Sequence, residues 1–337
     1  MSAGGGGGGV RPLRVFTWHV HGTYLYYLAQ SRHEFFLPVK PGLPEGYSGR
    51  SGHFPWPDNM HEVDAADVRC MEFDCVLFQS RRNYLLDQHE VLSEQQRMLP
   101  RVYLEHDPPR EHPTDTQHIV DDPGVLLVHV TPFNALMWDS GRTPVRVVEH
   151  GVPEVDGARY TGELERGIVV VNNIQTRGRR TGYDIFQEAR KQVPLDLAGM
   201  GSEALGGLGD IPHGELLRVM SRYRFFFNPI RYTSLGLAVC EAMSLGMPIV
   251  GLATAEMPTV IENDVSGYVD TDVDRLVHRM QLLLAKPARA QELGNAARQT
   301  AMQRFNIRRF TRDWDSVLWS AASREFALRP APRRQVA

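Results

Sequence analysis

Short apolar runs alternate with stretches of helical periodicity from Leu13 onward, which is the pattern of α/β layers built around parallel sheets. In the first half the runs predict strands over 13–18, 75–79, 101–105, 125–130 and 145–149, with helices over 24–30, 81–93 and 132–138. The last of these helices opens on Pro132, at the position a helix tolerates best. Between them, 38–59 is rich in Pro and Gly with little periodicity and reads as a long surface excursion, a kind of segment that more often carries function than not.

A second series follows Glu149-His-Gly-Val-Pro153. Strands are predicted over 167–172, 195–200, 225–228, 248–252 and 267–269, and helices over 183–192, 214–221, 237–245, 256–262, 273–284 and 288–303. The chain thus divides into two α/β halves, and no period of a solenoid or propeller is visible. In open parallel sheets the ligand sits beyond the carboxyl ends of the strands, so the loops leaving each strand are the places to look for chemistry.

Composition narrows the classes. A chain of 337 residues, 42% hydrophobic, can bury two ordinary cores and is neither fibrous nor disordered. With 37 basic against 40 acidic residues it lacks the positive field expected of a nucleic-acid binder. The opening Gly-rich run has no charged start or apolar stretch of a secretory signal and reads as a mobile tail, and no segment approaches the length of a membrane span. Cys70, Cys75 and Cys240 have no disulfide or zinc spacing, so a reducing cytoplasm is the expected setting. Lysine occurs only at Lys40, Lys191 and Lys286, and because arginine is the better bidentate donor to phosphates its local clusters are the ones to follow.

The most informative stretch runs from Phe225 to Gly251. An aromatic strand ends at Asn228, a loop passes through Thr233 and Ser234, and a helix starts near Gly236, aiming free backbone N–H groups at the crevice in the way that suits a phosphate. Glu241, about one turn in, points to the same side and could accept bonds from a pair of sugar hydroxyls. Asn172-Asn-Ile-Gln-Thr-Arg-Gly-Arg-Arg-Thr-Gly-Tyr-Asp184 is a strand-to-helix loop with Arg177, Arg179 and Arg180. Trp18-His-Val-His-Gly-Thr-Tyr24 turns into a helix at Gly22 and Thr23, and strand 101–105 runs into His106-Asp-Pro-Pro-Arg-Glu-His112.

Thr233-Ser-Leu-Gly-Leu-Ala-Val-Cys-Glu241-Ala-Met, followed by Gly246-Met-Pro-Ile, resembles the E-G-F-G-L-x-x-x-E-A-M and G-x-P-V blocks of the family-4 retaining glycosyltransferases of the GT-B fold. Glu149-His-Gly-Val resembles that family's hinge, Leu197-Ala-Gly-Met-Gly201 its V-G-x-G strand end, and Pro212-His-Gly-Glu-Leu and Val260-Ile-Glu-Asn-Asp-Val-Ser-Gly-Tyr268 its later blocks, in the same order. The resemblance implies that Ser234, Leu235, Gly236 and Leu237 lie against the donor diphosphate, with Gly236 and Leu237 binding through backbone N–H groups. It gives Glu241 the ribose, and Gly199, Met200 and Gly201 the nucleobase. It places Asn173, Arg177, Arg179 and Arg180 in the loop where an arginine and a lysine usually clamp the diphosphate, although no lysine is present. Gly22 and Thr23 correspond to the Gly-rich loop near donor and acceptor, and His106 to the histidine beside the donor sugar. Thr233 stands where the family has the first glutamate of its pair, which touches the donor sugar.

The implied architecture is α/β, two Rossmann-like domains facing each other across a cleft. Residues 1–10 are a disordered tail, 11–150 the acceptor-side domain, 151–305 the nucleotide-sugar-binding domain, 306–323 a helix crossing back to the first domain, and 324–337 a flexible tail that could touch acidic lipid heads. The implied reaction moves a hexose from a nucleotide diphosphate sugar to a hydroxyl acceptor with retention, without cofactor or bound metal. The saccharide or lipid-linked acceptor would be of the bacterial cell-surface class, at the cytoplasmic side or inner membrane face. A nucleotide-sugar epimerase and a catalytically silent sugar-nucleotide-binding subunit are the alternatives. His19 with His21, or His106 with Asp107 and His112, are metal ligands by residue type, but the first pair reads as alternating strand residues. Tyr24, Tyr26 and Tyr27 read as core packing, and Cys240 as a small buried residue.

Overall fold

A computed structural model describes residues 11–154 and 157–328. The first half forms strands β1 (Arg14–Thr17), β2 (Glu34–Val39), β3 (Met60–Asp64), β4 (Cys75–Phe78), β5 (Arg101–Glu105), β6 (Val125–His129) and β7 (Val145–Val147). They make one parallel sheet in the order β3-β2-β1-β4-β5-β6-β7, so the strand order reverses between β1 and β4. The second half forms β8 (Leu164–Val170), β9 (Leu195–Ala198), β10 (Tyr223–Asn228), β11 (Ile249–Leu252) and β12 (Gly267–Asp270) in the parallel order β12-β11-β10-β8-β9. Helices lie on both faces of both sheets, as right-handed crossovers require. One buried cluster runs from one face of the first sheet to one face of the second, and each sheet has a further cluster on its other face.

Two strands were not anticipated, and both lie on the outer side of β1. β2 carries Pro38, which ordinarily argues against an inner strand. Its pairing with β1 ends at Phe16 and Phe36, however, while its pairing with β3 continues through Pro38 and Val63. The Glu34 N–H goes to β1 and the Phe35 N–H toward β3. By alternation the nitrogen of Pro38 faces the β1 side, two residues beyond the last β1–β2 pair, so the lost donor falls where that pairing has ended. The excursion therefore begins after Val39, not at Pro38. β1 ends at Thr17, so His19 and His21 are loop residues and not part of a strand.

The helix Ile307–Ala322 leaves the second domain and packs on the first. Phe310, Trp314, Val317 and Leu318 are buried along one face, and the indole of Trp314 donates to the Tyr24 hydroxyl at 3.0 Å. Each such side chain contributes roughly 1.5–3 kcal/mol by burial. The expected terminal tails, 1–10 and most of 324–337, lie outside the described residues. Glu325–Leu328, taken as part of the last tail, instead form a short 3₁₀ turn with Phe326 buried.

Candidate functional site

The carboxyl ends of both sheets open on a cavity of about 590 Å³ between the domains. From the second domain its wall includes Asn172, Arg177, Gly199, Met200, Thr233, Gly236, Leu237 and Glu241, and from the first Gly22 and Thr23. Among the described residues no three side chains of metal-ligating type gather into a ligand set, and no helix is long and apolar enough to cross a membrane.

The segment 233–241 is held from behind. Ser234 and Leu235 are buried beneath the cavity wall, and His150, from the chain crossing between domains, donates its Nε2–H to the Leu235 carbonyl at 2.6 Å. Burial pushes the His150 ring down to a pKa of about 4, so it is neutral. Gly236 has ordinary extended dihedrals, and a Cβ there would meet nothing within 4 Å. Its glycine serves the open space in front of it and not a backbone constraint. The helix Leu237–Leu245 starts directly after it with no side-chain cap, leaving first-turn N–H groups directed at the cavity.

The loops after β8 and β9 are stapled together. Asn173 takes a left-handed conformation, its N–H bonds the Met200 carbonyl at 2.7 Å, and the Asn172 side chain accepts from the Met200 N–H at 2.9 Å. Gly199 has φ +120°, and a Cβ would come within 3 Å of Asn172 Oδ1 and the Val171 carbonyl, so only glycine fits the staple. Asn173 and Gly201 thus shape the wall without being part of it.

The arginine trio separates. Arg177 reaches the cavity, and burial lowers its pKa, with Asp107 and Arg110 of the opposite domain also acting on it. Burial lowers the pKa of Arg180 too, followed by Arg110 and Arg177, and its guanidinium makes no ion pair or hydrogen bond among the described residues. Arg179 does not join them. It is 77% exposed and pairs with Asp184 at 2.6 Å, and its carbonyl accepts from Arg231, which also grips Asp184. Arg179, which the resemblance places in the diphosphate loop with Arg177 and Arg180, is held at the surface by Asp184. The stretch after Asn172, expected as a loop, contains the short helix Ile174–Arg177 and a 3₁₀ turn over Gly178–Thr181.

His106 sits just past β5, packed edge-on against His21 and Tyr24 with ring centroids at 4.1 and 5.0 Å. Its Nε2 is buried without a partner, and burial, then His21 and His150, hold it well below the usual histidine range. The ring is neutral and is not itself part of the wall of the 590 Å³ cavity.

Glu241 is 4% exposed yet reaches the cavity. Its Oε1 accepts from the Tyr27 hydroxyl at 2.7 Å and from His213 Nε2 at 3.0 Å. The sequence reads Tyr27 as core packing and His213 only as part of a family block, because they lie 214 and 28 positions away from Glu241 and, for Tyr27, only the facing of the two domains makes the contact. Asp210 and the side chain of Phe54 also line the cavity unforeseen, and so does His19, which the sequence suggested only as a metal ligand by type. From the excursion, Gly52, His53 and Phe54 line the cavity, and the Phe54 ring stacks on Tyr26 at 5.4 Å and lies 5.6 Å from His213.

Two doubly covered parallel sheets facing across such a cleft define the GT-B fold. Residues 201–300 match the model of the family described as glycosyl transferases group 1, which bears out the resemblance at the level of that group. A 101-residue stretch is 31% identical to alpha-maltose-1-phosphate synthase of Mycobacterium tuberculosis, covering 28% of this chain and 26% of that protein. A 160-residue stretch is 28% identical to glycogen synthase of the same organism, covering 47% and 35%. The chain therefore spans about a quarter to a third of the curated relatives it matches. Among solved structures, a sucrose-phosphate synthase from Thermosynechococcus elongatus superposes with a TM-score of 0.69 at 14% identity over 94% of this chain and all of that one. HepE of Anabaena, in complex with UDP-glucose, superposes with 0.67 at 13% identity over 91% and all of that chain. At these identities the superpositions speak to the fold.

Proposed function

We propose that this chain is a retaining glycosyltransferase that moves a hexose from a nucleotide diphosphate sugar to a hydroxyl acceptor in polysaccharide or glycoconjugate synthesis. The observation that carries the reading is the convergence on one cavity of the Gly236–Leu237 helix start, Arg177 and Glu241, with Gly22 and Thr23 opposite. The group 1 match over that segment and a structural neighbour solved with UDP-glucose support it.

In this reading the first-turn N–H groups and Arg177, with Arg180 nearby, meet the diphosphate, and Glu241 takes the ribose diol. The bond from the anomeric carbon to the diphosphate breaks, the acceptor oxygen bonds that carbon on the same face, and the acceptor's proton passes to the departing phosphate oxygen. The cations and helix dipole stabilise charge that grows on that phosphate. Thr233, on the cavity wall, offers the sugar a neutral hydroxyl where a carboxylate is usual in the family. That substitution favours a second reading, a sugar-nucleotide-binding subunit without turnover.

Incubation of the protein with nucleotide sugars, with and without saccharide or lipid-linked acceptors, separates the readings. Acceptor-dependent release of nucleoside diphosphate is expected; tight binding without release supports the silent subunit, and interconverted donor sugar an epimerase. Glu241→Ala removes a charge-assisted bond of about 1.5–3 kcal/mol and is expected to weaken nucleoside diphosphate binding about 10- to 100-fold. Unchanged affinity by calorimetry would remove Glu241 from the site.

A further inference from the structure

We infer that Tyr27 and His213 are positioning residues that hold the Glu241 carboxylate for the ribose of the donor, so that recognition of the ribose needs both domains. The inference rests on the reading of the cleft as a nucleoside diphosphate site. Tyr27 lies in the helix Gly22–Leu28 of the first domain, and His213 opens the helix His213–Met220 of the second. The Tyr27 oxygen lies 2.9 Å from His213 Nε2, and both groups reach the same carboxylate oxygen, Oε1. A carboxylate only accepts, so the Tyr27 hydroxyl and a protonated Nε2 both donate to it. No hydrogen bond to Oε2 is made among the described residues, which leaves that oxygen for an incoming diol.

Two features separate this arrangement from ordinary interdomain packing. Glu241 and His213 both line the cavity, so the bonded group is at the ligand's surface and not behind it. Thr23, also on the cavity wall, lies four residues before Tyr27 on the same helix and hence on the same face. One helix thus presents its first turn toward the diphosphate and its second turn toward the carboxylate of the ribose site. Burial, and then the charge of Glu241, raise the Tyr27 pKa well above its ordinary value and keep the hydroxyl protonated as a donor. The Phe54 ring against His213 ties the 40–59 loop to the same group.

The test is ribose discrimination. The nucleoside diphosphate that binds the purified full chain best is titrated calorimetrically in its ribo and 2′,3′-dideoxy forms, against wild type, Tyr27→Phe and His213→Gln. Wild type is expected to prefer the ribo form by about 10-fold or more, the scale of a charge-assisted bond. Tyr27→Phe is expected to narrow that ratio severalfold while leaving affinity for the dideoxy form within about twofold, since the diphosphate contacts are untouched. His213→Gln, which keeps an amide donor, is expected to retain more of the ratio than His213→Leu. Equal loss for both forms in Tyr27→Phe means that Tyr27 only supports the fold, and an unchanged ratio means that it does nothing for the ribose; either overturns the inference while the cleft reading stands. If wild type binds no nucleoside diphosphate, the reading of the cleft fails and the inference with it.

Discussion

Arg177 and Arg179 stand two positions apart and meet opposite surroundings. Arg177 reaches the cavity, whereas Arg179 spends its charge on Asp184 at the surface. If the cleft carries out sugar transfer, Arg177→Ala is expected to lower kcat/KM about 10- to 100-fold, the loss of one charge-assisted contact. Arg179→Ala breaks an exposed ion pair worth about 0–1 kcal/mol and is expected to leave kcat/KM within about threefold. Steady-state kinetics on the two variants decides, and the reverse order would relocate the phosphate grip. His150 makes a prediction of a different kind. Its ring titrates near pH 6.5 in an unfolded chain and at about 4 in the native one, because burial disfavours its charge. Between these values the unfolded chain binds a proton that the folded one refuses, so this contribution is present above pH 6.5 and is lost as pH falls toward 4, at up to about 1.4 kcal/mol per pH unit. Buried His129, pushed down to about 3, acts in the same direction. The thermal midpoint is expected to fall across that window, and to fall less steeply in His150→Asn, which has no ring to protonate.

At the level of elements, legibility followed how local the signal was. The helix Leu237–Leu245 lies where its apolar content and the glycines at either end place it, since the propensity and the packing agree. β2 and β3 were obscured because Pro38 breaks the propensity of one, and His61, Glu62 and Asp64 dilute the other. What permits them is a matter of register: the β1–β2 pairing ends before Pro38 while the β2–β3 pairing continues through it, and no single segment records where its neighbour stops. The site divides in the same way. Gly236 and Glu241 share one strand-loop-helix unit and could be read together, but the Tyr27–His213–Glu241 contact joins three elements from two domains. The Arg179–Asp184 pair lies within the loop, but the segment is also pinned by Arg231, which bonds the Arg179 carbonyl and Asp184 across 52 and 47 positions that no spacing rule within the loop contains.

At the scale of the molecule, the chain passes between domains twice, and the passes are bonded to each other. The Val152 N–H donates to the Phe305 carbonyl at 2.8 Å, and Val152 bridges Asn306. Arg304 beside them pairs with Glu149 and with buried Glu256, whose carboxylate also accepts from the Phe133 N–H of the first domain. These contacts make one joint of the two passes, beside the Glu256–Phe133 contact between the domains.

The helix Ile307–Ala322 also means that the order of the chain and the ownership of the core do not coincide. The first domain completes its hydrophobic surface with side chains made after the whole of the second domain. A fragment ending at residue 150 lacks Phe310, Trp314 and Leu318 and is expected to be insoluble or aggregated when produced alone. Co-produced with the remainder of the chain, it is expected to be recovered as a noncovalent complex, which size-exclusion chromatography with mass determination would detect. During synthesis on the ribosome the same dependence leaves the first domain uncapped until the second domain has been made, so its exposure to chaperones is set by the length of the second domain and not by its own.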